Sequence, residues 1–111
     1  MVEIEEKTVK VSKWFDIDIA NIFKYGEETF GYTAAKIFIG EVYNRVWNLD
    51  SMYLSYPECR HIPTRSHRYR NIILGSYLII YRITPKQIEV LKAISSRMSI
   101  SKIRSARSIK L

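Results

Sequence analysis

The stretch from Tyr69 to Ile94 constrains the fold more than any other part of the chain. Three runs rich in β-branched and aromatic residues, 69–74, 77–83 and 87–94, are parted by Gly75-Ser76 and by Thr84-Pro85-Lys86. Glycine tolerates positive φ, so the first break suits a two-residue type I′ or II′ hairpin. Pro85 presets φ and withholds a ladder donor, which makes the second break a turn as well. The pattern predicts a three-stranded antiparallel meander. Strand alternation places Tyr77, Ile79, Tyr81 and Ile83 on one side of the middle strand and Leu78, Ile80 and Arg82 on the other. Both sets are largely apolar, so both faces need a cover. Helices can supply one; something else must cover or use the other.

Helices are found upstream. Residues 4–12 alternate around Thr8, Val9, Lys10 and Val11 and read as a short edge strand. Ser12 is placed to N-cap a helix with Phe15, Ile19, Ile22, Phe23 and Phe30 at helical spacing. Asp16 and Asp18 fall in its first turns, where negative charge complements the helix dipole. Two apart on a helix, they point away from each other, so they read as structural carboxylates and not as a catalytic pair. Gly26 weakens the end of this helix, and Gly31 reads as its stop, with Thr33 as N-cap of a second. That second helix, 34–49, carries the stripe Ala35, Phe38, Val42, Val46 and Leu49, widened by Ile39, Tyr43 and Trp47. The two form an α-hairpin packed on the sheet, and the whole of 1–111 is a single α+β domain.

Residues 50–68 hold two of the three prolines and no sustained period, which predicts a long connection of a length often kept for function. Cys59, His61 and His67 lie in it. Tetrahedral zinc needs four ligands at recognisable spacing, and the chain has one cysteine, so no metal site is expected. A Cys59–His61 nucleophile pair lacks an orienting third group. After the meander, Ser95 to Met98 end the last strand. The tail 99–111 intersperses Ile100, Ile103 and Ile109 with Lys102, Arg104, Arg107 and Lys110, which leaves two readings, a short amphipathic basic helix or a segment disordered alone, since helices of this length are marginal in isolation.

The formal net charge of +7 is unevenly placed. Residues 1–55 carry six Lys/Arg against nine Asp/Glu, whereas residues 56–111 carry twelve against two. A basic sheet with a basic tail suggests an anionic partner, nucleic acid or an acidic protein segment. No apolar run approaches the roughly 18 residues of a membrane helix. The N-terminal run Val2 to Glu6 is acidic where a secretory signal is basic and then apolar, and a lone cysteine fits a reducing compartment; a cytoplasmic protein without cofactor is expected.

Particular residues carry a family likeness: Asp18, Ile19, Ile22 and Tyr25; Phe30-Gly31; Ala35 and Phe38; the run from Leu74 to Ile83; Ile88, Val90 and Leu91; and Arg97-Met98. In this order and spacing they resemble the RelE/ParE superfamily of toxins from type II toxin–antitoxin modules, from about Val9 to Met98. The strongest piece is the Gly75 to Ile83 hairpin. The resemblance implies a strand, an α-hairpin, an antiparallel meander and a basic tail. It also implies one of two activities, ribosome-dependent mRNA cleavage in RelE-like members or poisoning of DNA gyrase by binding in ParE-like members. RNA-cleaving members begin the strand after the hairpin turn with an aromatic-arginine pair; here Tyr77-Leu78 stands there. They use a tyrosine or histidine near the C-terminal end, and none occurs from Ser95 onward. Those departures favour the ParE-like branch and leave Arg97 as the best retained functional position.

Physical chemistry orders the activities the same way. Cleaving RNA through its own 2′-OH needs an acid, a base and a cation. Arg68, Arg70, Arg82 and Arg97 supply cations, but arginine shuttles protons poorly, and His61 and His67 lie in the loop. If Arg68 and Arg70 share a strand face, they form a basic concavity with Arg97 that binds target or nucleic acid. Three readings stay open: a growth-inhibiting toxin that binds gyrase, an mRNA endonuclease with an atypical residue set, and a non-toxic nucleic-acid-binding module. The resemblance adds an acidic cognate antitoxin, expected in a groove at Leu78, Ile80 and Arg82 on the sheet face that the helices leave open.

Overall fold

In the computed structural model, which describes residues 4–111, the meander becomes part of a four-stranded sheet. Val2 and Glu3 of the acidic N-terminal run lie outside the described residues. The elements are β1 (Thr8–Val11), α1 (Lys13–Phe30), α2 (Tyr32–Trp47), α3 (Leu49–Met52), β2 (Tyr69–Leu74), β3 (Tyr77–Ile83), β4 (Gln87–Ser95), α4 (Ile100–Arg104) and a closing 3-10 turn (Ser105–Ser108). The strand order is β1-β4-β3-β2. β2, β3 and β4 run antiparallel, and β1 is an edge strand, paired in parallel with Gln87 to Val90 of β4. Of the two residues in the β2–β3 turn only Gly75 has positive φ, 59°, as a type II′ hairpin requires.

The two faces of β3 divide as alternation predicts. Ile79 and Tyr81 join Phe15, Ile19, Val42, Val46 and Leu49 beneath the α-hairpin. Ile80 and Leu78 meet the opposite layer. α1 starts where expected, with Ser12 Oγ accepting the Phe15 amide at 3.0 Å. It runs straight through Gly26, because a Cβ there would stand 3.3 Å from the Ala35 Cβ and the bare residue lets α1 and α2 approach. Gly31 alone separates the helices, so Thr33 lies inside α2 and caps nothing. Phe30, expected on the buried stripe, is 71% exposed because the helix carries it past the edge of the sheet. Leu49 is buried as predicted, but in the separate turn α3.

β4 contains a bulge: Ile80 faces Lys92 and Tyr81 faces Val90, leaving Leu91 without an opposite number. α1 pins this irregularity. The Ser12 amide donates to Val90 O at 2.9 Å and Ser12 Oγ donates to Leu91 O at 2.6 Å. Asp18 Oδ2 accepts the Ala93 amide at 3.0 Å while Oδ1 accepts Lys92 Nζ at 3.1 Å. Asp18 is therefore structural, tying the helix layer to the sheet.

Candidate functional site: the arginine-bearing face and its cover

The face of the sheet away from the α-hairpin is not open. Cys59 and Ile62 from the 53–68 connection and Ile103 and Ala106 from the tail lie over Tyr69, Ile80, Leu91 and Ile94, and all eight are buried. The chain thus supplies its own second cover. This corrects the expectation of an antitoxin groove at Leu78, Ile80 and Arg82: Ile80 is 0% exposed, Leu78 packs against the same cluster, and Arg82 holds the cover in place. The tail forms here because Ile103, Ala106 and Ile109 recur every three residues, the spacing of a tight helical turn laid on an apolar sheet.

Arg82 sits at the centre of this clamp. Its Nε donates to Glu89 Oε1 at 2.8 Å, its Nη2 donates to Ile109 O at 2.9 Å, and its Nη1 lies 3.3 Å from Tyr69 Oη and 3.4 Å from Arg107 O. Burial disfavours the charged guanidinium, but the hydrogen bonds to Tyr69 and Glu89 and the carboxylate's charge outweigh it and hold the pKa above the ordinary arginine value. Arg68 is exposed and stacks on the Tyr69 ring, its Cζ 5.4 Å from the centroid, with Arg82 at 5.7 Å from the same ring.

The expected concavity of Arg68, Arg70 and Arg97 does not form. Arg68 precedes β2, and Arg70 pairs with Tyr81 on the helix-side register. Arg70 spends its guanidinium on the carbonyls of Tyr56 at 2.9 Å, Leu54 at 3.2 Å and His67 at 3.3 Å, closing the long connection. Arg97 is exposed beyond β4, beside the β2–β3 turn, where Ser96 N bonds Ser76 O. The seven residues of β3 separate that turn from Arg82, about 20 Å of strand. Only Arg68 and Arg82 are brought together.

Sequence reasoning missed one pair in the connection. His67 Nδ1 lies 2.9 Å from Glu58 Oε2, and the His67 hydrogen bond is the main cause that lowers the Glu58 carboxyl below its ordinary value. His67 takes a left-handed backbone, φ 55°, to make that contact. Glu58 and His67 are nine apart without periodic structure, so nothing in the sequence signals the meeting. Cys59 beside them is fully buried, and burial pushes its thiol pKa up, the opposite of an activated nucleophile. Among the described residues no three His, Cys, Asp or Glu side chains gather as a metal would need.

Another opening lies elsewhere. A groove of about 630 Å³ runs between α1 and α4 along the end of β4, bordered by Ile22, Tyr25, Tyr77, Ser95, Met98 and Lys102. Past Tyr25 and Tyr77 it continues into an apolar recess of about 270 Å³ at Phe30, Phe38 and Gly75. β1 pairs with β4 only as far as Val90, so no strand occupies this edge of β4 from Leu91 to Ser95.

No helix among the described residues is long and apolar enough to cross a membrane. A search of curated proteins returns no match. The family described as "ParE toxin of type II toxin-antitoxin system, parDE" matches residues 9–100. A solved structure, "Chromosomal ParDE TA system from P. aeruginosa", superposes with a TM-score of 0.67 at 15% identity, covering 83% of this chain and 98% of that one. At that identity the likeness is one of fold. The family match spans β1 to α4, and the strand, helical hairpin and antiparallel sheet follow the same plan; the chain belongs to the ParE toxin family of type II toxin–antitoxin systems.

Proposed function

We propose that this ParE toxin arrests bacterial growth in the cytoplasm by binding DNA gyrase, and that an acidic cognate antitoxin neutralises it. One observation carries the choice of binding over RNA cleavage: the arginines of the sheet are committed to the fold. Arg82 is locked to Glu89 and the tail, Arg70 to three carbonyls, and Arg97 stands a strand's length away. A cleavage site needs a free cation beside an acid and a base on one surface. The His67–Glu58 pair lies at the β2 edge, where Glu58 bridges Arg70, and its carboxylate is already taken by His67 and the Thr64 amide.

With the back face covered, the antitoxin is assigned to the groove beside β4. Exposed Tyr25 and Phe30 and half-buried Tyr77 offer apolar purchase, the short stretch of β4 edge beyond the Ala93 amide, which Asp18 takes, offers backbone groups, and Lys102 offers charge. That combination suits a segment that is both apolar and acidic and adds along a strand edge. Arg97 stands near the same end.

Induction in a bacterial host tests the target. DNA-damage signalling together with loss of supercoiling by purified gyrase on addition of the protein is the expected result. Abrupt translation arrest with cut messages, and gyrase unaffected, would replace this reading with the RelE-like one; no growth effect would leave only a binding module.

A further inference from the structure

The net charge of the chain resides entirely in one layer. The connecting segment 57–68 and the tail 96–111 together contain eight Lys/Arg and one acid, Glu58, whereas the other residues hold ten of each sign. Folding brings these two segments side by side. Ile62 and Cys59 share a cluster with Ile103 and Ala106, and Arg104 Nε donates to His61 O at 3.1 Å. Arg60, Arg65, Arg68, Arg97, Lys102, Arg104, Arg107 and Lys110 are all exposed, and none forms an ion pair among the described residues. The one acid is already occupied by His67 and the Thr64 amide.

We propose that this layer is a docking surface for the phosphodiester backbone of duplex DNA. Eight exposed cations on two adjoining segments of a molecule that is otherwise neutral give a directed positive field, not a general solubility charge. Hydroxyls stand between them: Ser101, Ser105 and Ser108 line a shallow depression with Arg104, Arg107 and one apolar residue, Ile100. Arginine forks and serine hydroxyls are the groups that hold phosphate oxygens. Neither segment contains Phe, Tyr or Trp, the strongest platforms for unpaired bases, and that favours a duplex over single-stranded RNA. An acidic protein segment would want apolar anchors among the charges; Ile62, Ile103 and Ile109 are turned inward, and of the exposed Met98, Ile100 and Leu111 only Ile100 borders the depression at Arg104 and Arg107. The buried side of this layer packs on the sheet face away from the α-hairpin, with Lys102 and Lys110 at its borders beside α1, and the inference does not rest on gyrase being the target.

The test is fluorescence anisotropy of the full chain on a labelled duplex of about 30 base pairs, without gyrase or antitoxin, across a salt series. Arg60→Gln, Arg65→Gln and Arg107→Gln are combined, since none of these side chains holds the tail. Lys24→Gln, Lys36→Gln and Arg45→Gln, on the α-hairpin, remove the same charge as a control. The back-layer triple variant should lose about tenfold or more in affinity, and its plot of log K against log salt should flatten by about one for each phosphate contact removed. The helix-face variant should keep the wild-type slope. Three outcomes overturn the proposal: no binding by the wild type at low salt, equal loss in both triple variants, or tighter binding of single-stranded RNA or of a polyglutamate peptide than of the duplex. Circular dichroism on each variant confirms that the fold is kept.

Discussion

Asp18 and Ala93 are joined across 75 residues of sequence: the Asp18 Oδ2 accepts the Ala93 amide at 3.0 Å. The other oxygen takes Lys92 Nζ, so one half-buried carboxylate from the second turn of α1 fixes two successive residues just after the β4 bulge. Replacing Asp18 with Ala leaves an amide and an ammonium short of partners. A loss of about 2 kcal/mol in unfolding free energy is expected from charged hydrogen bonds of this kind, read by urea denaturation. An unchanged midpoint would show that the contact does not hold the layers together.

Ser12 acts on the same bulge, as helix cap and as donor to Leu91 O. Ser12→Ala should cost about 1–2 kcal/mol as the loss of a cap. Combined with Asp18→Ala, the effects should fail to add, because both act on Val90 to Ala93. A double-mutant cycle measures the coupling, and strict additivity would mean that the bulge holds its shape without α1.

Arg82 is the latch of the back layer. Arg82→Met removes the donors to Ile109 O and leaves Glu89, whose side chain is 13% exposed, without its ion-pair partner. Expected are a fall in stability of at least about 2 kcal/mol and faster amide exchange in residues 103–109 than in the α-hairpin. Uniform loosening of the whole molecule, with no bias to the tail, would contradict the latch.

The Cys59 thiol should be almost inert to thiol reagents at pH 8 in the folded protein and should react rapidly once urea unfolds it, because burial both hides it and raises its pKa. Deleting residues 99–111 should release it, since Ile103 and Ala106 form part of its cover. A fast native reaction would place the connection outside the core.

The Glu58 carboxyl has its folded pKa lowered, chiefly by the His67 hydrogen bond. Such a group adds stability above its unfolded pKa, and that contribution is lost as pH falls through the lowered folded value. The Thr64 amide donates to the same carboxylate and reports the event. Its NMR shift should titrate with a midpoint below 4.5, the ordinary glutamate value, and should stop titrating in Glu58→Gln. A midpoint at or above that value would show the pair to be absent in solution.

What could be read from the chain divides by the range of the interaction. The meander, the Ser12 cap and the Ala35 to Leu49 stripe follow from residues close in sequence, so periodicity and turn chemistry reveal them. The parallel pairing of β1 with β4, the reach of Asp18 to Ala93 and the tail over Ile80 join distant segments that carry no local sign of each other. The run from Tyr77 to Ile83 demands a cover on its second face, and the demand is met; the expected open groove for an antitoxin is not there, because Ile103, Ala106 and Ile109 supply the cover from within. Arginines misled for a related reason. A guanidinium bonded to backbone carbonyls, as at Arg70 and Arg82, looks in sequence the same as one left free for a ligand.

The parallel register of Thr8 with Gln87 sets the order in which the molecule can be completed. The first strand to be synthesised has its partner near the far end of the chain, and closing a loop of that length costs about 4 kcal/mol of chain entropy before any pairing repays it. While the protein is being made, α1 and α2 can form their hairpin, but Ser12 and Asp18 have nothing to hold until Val90 to Ala93 have emerged. A product that stops before β4 has the α-hairpin and the β2–β3 strands but lacks the strand that joins β1 to them and the basic tail that covers the second face. Synthesis of residues 87–111 is thus the step that ties the helical hairpin to the sheet.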